Sequence, residues 1–167
     1  MSTVERIEPD HLAGERAMLE QFLDYHRDTV HVKCAGLAEA DAWRATLPSS
    51  PKMSPAGLVL HLYWVERGWF ERGLCGMDVT LPWHVVPDSE FDRTGDETLA
   101  DVLDRYAAQC ARSRELAADH DLETVVTLQN GRRTSLRWIY VHMIEETARH
   151  NGHLDAMREL ADGVTGE

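Results

Sequence analysis

Four stretches of this chain repeat apolar residues at mixed intervals of three and four, a period that admits little besides helices packed on one another. The first runs from about His11 to Lys33, carries Leu12, Leu19, Phe22, Leu23, Val30 and Cys34, and stops near Gly36. Ser54 followed by Pro55 has the form of a helix start, with serine as cap and proline in the first turn, where its missing amide costs nothing. The second helix then extends from Pro55 to about Arg72 and ends at Gly73, with Leu58, His61, Leu62, Val65 and Trp69 on one face. The third begins at Thr98, turns Leu99, Val102, Leu103, Tyr106 and Cys110 inward, and frays near His120. The fourth, capped by Ser135 or Thr134, passes through Leu136, Ile139, Tyr140, Met143, Ala148, Leu154 and Met157 to about Leu160.

The connections hold nearly all the turn chemistry. "TLPSSPKMSPAG" is a loop rich in proline and serine, and Asn130-Gly131 is a pair favoured in tight hairpin turns. From Gly73 to Asp96 the period is lost, which makes a long loop between helices two and three: either a cover over a site or an ordered surface connection. The expectation is an all-α four-helix bundle forming a single domain over residues 1–167. A domain of this size buries roughly 70% of its unfolded surface, so any metal is functional rather than a staple for the fold.

A net charge of −12 at pH 7 repels nucleic acid and anionic membrane surfaces, and no basic patch is evident in the sequence. The longest apolar stretch, "AGLVLHLYWV", is far short of the roughly twenty residues a membrane span needs. The N-terminal residues are acidic and lack the apolar core of a signal peptide. Cys34, Cys75 and Cys110 have no metal-binding spacing and read as reduced, small buried residues, which points to the cytoplasm. Oligomeric state stays open, a homodimer being common among symmetric helical proteins.

The fourth helix holds "HMIEETARHNGH", three histidines and two glutamates in three turns. Residues four apart lie one above the other, so Glu146 and His150 can reach a single divalent ion such as zinc. A catalytic site of this kind uses three protein ligands, and His61, set on the apolar face of the second helix, is the best third. His142 is the rival, but about 12 Å of helix rise separates it from His150, so it takes a neighbouring place. His142 and His153, eleven residues apart on the same side, are the candidate catalytic residues, placed to orient a ligand or carry a proton. The bland alternative is a satisfied core histidine and a solvated Glu–His pair. His11, His26, His31, His84 and His120 read as surface residues, and Glu66 as a solvated or structural charge turned away from the metal side.

The stretches "GERAMLEQFLDYHRDTVHVKCAGLAEADA", "SPAGLVLHLYWVERGWF" and "SLRWIYVHMIEETARHNGHLDAMREL" resemble the DinB/YfiT-like metalloenzyme family. The likeness is strongest to the branch containing mycothiol-dependent maleylpyruvate isomerase and the mycothiol transferases. It covers most of the chain outside the loop from Gly73 to Asp96 and implies a four-helix bundle with a divalent metal on His61, Glu146 and His150. Where relatives often carry glutamine after the glycine of the last helix, this chain has His153. The resemblance implies mycothiol or a similar small thiol as co-substrate and an electrophile as acceptor. A thiol in the open position of such an ion loses its proton and becomes a nucleophile. Zinc leads among the metals, with nickel, manganese and iron also compatible with the donors. Two rival readings stand: a metallohydrolase that needs no thiol, and a non-catalytic metal-binding protein of the same fold.

Overall fold

The computed structural model describes residues 4–166. Helix α1 spans Glu15–Cys34, a single-turn α2 spans Glu39–Ala42, α3 spans Pro55–Glu66, α4 spans Leu99–Ala118 and α5 spans Leu136–Asp162. The four long helices pack as a bundle in which α1 lies mainly on α5 while α3 is shared between α4 and α5. No described helix is long and apolar enough to cross a membrane.

The helix starts follow the expected chemistry. Ser54 Oγ accepts the Gly57 amide at 3.1 Å with Pro55 in the first turn, and Ser135 Oγ accepts the Trp138 amide at 3.2 Å. Thr98 and Asp101 satisfy each other's amides in a capping box at the head of α4. Three features differ from expectation. Helix α1 begins at Glu15, which leaves Leu12 outside it and 93% exposed. Phe22, expected inside, is also exposed. Beyond Glu66 the helix continues over Arg67–Leu74 as a wider π-helical turn, with bonds such as Cys75 N to Phe70 O at 3.2 Å.

The hairpin also differs in detail. Strands β1 (Val125–Thr127) and β2 (Arg133–Ser135) pair antiparallel with Val126 opposite Thr134. Their connection runs over residues 128–132, longer than the two-residue turn expected, and Gly131 occupies it with φ of 80°.

The core falls into two apolar clusters, one around Val30, Leu58, Leu62, Tyr106, Cys110, Leu154 and Met157, the other around Leu23, Val65, Phe70, Leu136, Ile139 and Met143. On three helices a buried polar residue separates the two: Arg27 on α1, Ser113 on α4, and Thr147, His150 and Asn151 on α5. Glu66 joins this polar layer from α3. It is fully buried and takes the Arg27 guanidinium in a two-point pair at 2.8 and 2.7 Å. Glu66 is therefore a structural charge, not a solvated one. Asn151 likewise reaches inward and is buried, donating to the His26 carbonyl at 3.0 Å. Cys75 is only half-buried, unlike Cys34 and Cys110, and all three are free thiols.

Candidate metal centre

Helices α3 and α5 turn His61, Glu146 and His150 toward one point. Glu146 Oε1 lies 3.3 Å from His61 Nε2 and 3.1 Å from His150 Nε2, and one donor atom from each residue lies within 4.8 Å of the other two. The imidazoles meet edge to face with ring centroids 4.8 Å apart. The one-turn spacing on α5 aligns Glu146 with His150, and the contact of α3 with α5 brings in His61.

The donor atoms are nearly dry, with side chains 16%, 16% and 10% exposed for His61, Glu146 and His150. Hydrogen bonds from His150 and then from His61 hold the Glu146 carboxyl well below the usual carboxylate range, against the opposing effect of its burial. An ionised carboxylate between two imidazole nitrogens is a donor set suited to a divalent cation. Metal–donor bonds of about 2.0–2.1 Å at tetrahedral angles put neighbouring donor atoms roughly 3.4 Å apart, close to both distances to Glu146. The residues present therefore fit a divalent metal.

The outer faces of both imidazoles carry partners. His61 Nδ1 is buried without a hydrogen bond, and Glu90 Oε1 stands 3.6 Å from it, with Glu90 Oε2 also unsatisfied. The His61 ring lies flat on Phe91, centroids 4.9 Å apart and planes 2° from parallel. Glu90 and Phe91 come from a 3₁₀ turn, Ser89–Phe91, inside the long aperiodic loop. Nothing in the sequence pattern marked them, because a loop without period gives no face on which to place a carboxylate. The loop thus packs against the site, as a cover would.

The other two histidines separate. His153 Nδ1 lies 3.3 Å from His150 Nδ1, on the ring edge away from Glu146. Its pKa is lowered, first by burial and then by the neighbouring His150 and Arg149. His142 lies outside the donor group: it stacks on Trp138 at 5.0 Å and meets Trp69 edge-on at 4.8 Å, one turn before Glu146. Among the remaining histidines, His84 is exposed as expected, while His26 and His31 are half-buried, the latter stacked on Tyr106.

The predominantly helical bundle is consistent with an all-α DinB-like fold. The chain belongs to the Mycothiol-S-transferase family, MST, whose model matches residues 18–163. No curated protein matches the chain.

Proposed function

We propose that the protein is a metal-dependent transferase that joins a small thiol, mycothiol by the name of its family, to an electrophile. The observation that carries this reading is the convergence of His61, Glu146 and His150 within 4.8 Å, three ligands where a closed structural site would have four. His61, Glu146 and His150 would hold a divalent cation, zinc by preference, whose positive charge would lower the pKa of a small thiol and so favour its nucleophilic form at neutral pH. Around it the chain's own residues divide the work. Glu146 carries the negative charge that keeps the site selective for cations, and the two imidazoles bind through Nε2.

Ligation through Nε2 leaves each Nδ1 protonated and donating outward. His61 then donates toward Glu90, and His150 toward His153. His153 and Glu90 are positioning residues that fix the tautomer and aim of the two ligands. His142, set between Trp69 and Trp138 beside Glu146, is the candidate to contact the substrate. The three free cysteines agree with a reducing compartment, the cytoplasm.

The test is to load the protein with zinc and supply mycothiol with a panel of alkyl halides, epoxides and unsaturated acids, following the thioether product by mass spectrometry. The thioether forms with the native protein and is lost in His61→Ala. Turnover of an ester or amide without any thiol would replace this reading with a hydrolase. A zinc-loaded protein inert toward every pair would leave a non-catalytic binding protein.

A further inference from the structure

Beside the metal centre opens a cleft of about 530 Å³. Val65, one turn on from His61, lies at its near end, and Trp83, whose ring is 6.3 Å from the His61 ring, forms one wall. Trp69 forms another and touches His142, one turn from Glu146. Leu81 and Leu128 complete an apolar, aromatic lining. At the far end the π-helical turn presents Arg72.

Arg72 is held by groups without formal charge. It bonds to His84 Nδ1 at 2.9 Å and to the Gln129 side-chain oxygen, while its Nε is buried with no hydrogen-bond partner. Among the described residues the arginines that pair with no carboxylate are Arg6, Arg72, Arg132 and Arg133. Three of these lie in neighbouring cavities: Arg72 lines the cleft, and Arg132 and Arg133 border a second cavity that shares Trp69 and Leu128 with it. In a chain of net charge −12, where carboxylates are plentiful, this is a local excess of unneutralised cations around an apolar slot.

We propose that the cleft seats the electrophilic co-substrate and selects one with an apolar body and a carboxylate. The body lies between Trp69 and Trp83, and the carboxylate meets the Arg72 guanidinium, with Arg132 and Arg133 nearby. The reactive end is thereby turned toward the metal centre. This assignment of the acceptor rests on the transferase reading, whereas anion selection by the cleft does not need the metal.

The probes are 4-phenylbutyrate and its uncharged amide, titrated calorimetrically into the zinc-loaded protein. A charge-assisted hydrogen bond of the usual strength makes the carboxylate bind at least about tenfold tighter than the amide. Arg72→Met, which keeps the aliphatic volume, brings the two affinities together by weakening only the carboxylate, with circular dichroism confirming the fold. Arg132→Gln with Arg133→Gln reduces the preference in part and makes it less sensitive to salt. His61→Ala, which empties the metal centre, retains the preference, so loss of thiol transfer with the preference intact counts against the metal reading alone. Equal affinities in the native protein, or a preference that survives Arg72→Met, would overturn the proposal.

Discussion

His153 Nδ1 stands 3.3 Å from His150 Nδ1, so the imidazole that faces Glu146 with one nitrogen is braced from behind with the other. Glu90 stands in the corresponding place behind His61, at 3.6 Å. Partners of this kind orient a ligand and raise its basicity, and their loss typically weakens metal binding about 10- to 100-fold. His153→Ala and Glu90→Gln are each expected to lower zinc affinity by that order, measured by competition with a chromophoric chelator. Unchanged affinity in both variants would remove these residues from the positioning role.

The loop reaches the site through a close approach that only glycine allows. A Cβ on Gly57 would lie 2.9 Å from the Phe91 carbonyl oxygen and 3.0 Å from Ser54 Oγ, both fixed by the start of α3 and the neighbouring turn. Gly57→Ala must therefore displace the turn that carries Glu90 and Phe91. Overpacking of this kind costs about 1–3 kcal/mol. Urea denaturation is expected to show that loss, together with weaker zinc binding, whereas a neutral result in both would mean that the turn is not held against the site.

The Arg27–Glu66 pair in the polar layer makes a separate prediction. Removing one partner strands a buried charge, at a cost of about 3–5 kcal/mol. Glu66→Ala should show it in equilibrium unfolding. The double variant Arg27→Met with Glu66→Leu, which removes both charges and fills the space, is expected to recover most of the loss. A single variant no less stable than the native protein would show that the pair contributes little.

The thiols should differ in reactivity. Burial pushes the Cys34 and Cys110 thiols up to about 12, so at pH 8 roughly one in ten thousand is thiolate. Cys75 is also raised by burial, but it is half-buried and within reach of a reagent. Titration of the folded protein with a disulfide reagent at pH 8 should modify Cys75 alone. Cys34 and Cys110 should react on unfolding or as pH rises toward their pKa. Equal rates at all three would contradict this account of the core.

What the sequence made legible follows from where period exists. The helices, the serine caps at Ser54 and Ser135, and the inward facing of His61 and His150 all follow from spacing along regular elements. Glu90, Phe91 and Arg72 were invisible for different reasons. The first two sit in an aperiodic loop, and Arg72 acquires its role because the helix widens into a π-turn and the hairpin residue Gln129 arrives from 57 residues later to close the cleft. The basic surroundings of the cleft were hidden in the same way, since Arg72 and the pair Arg132 and Arg133 are distant in sequence and meet only in the fold. The choice between a solvated and a structural Glu66 stayed open because a polar residue on a helix can be either until its buried partner, Arg27, is known.

The central claim is that His61, Glu146 and His150 hold one cation, and zinc stoichiometry by elemental analysis tests it most directly. After equilibration with zinc and dialysis, the native chain should retain about one equivalent, the amount a single three-ligand site binds. His61→Ala, Glu146→Ala and His150→Ala should each retain almost none while keeping their helical circular dichroism. A native protein without zinc, or alanine variants that keep a full equivalent, would contradict the account.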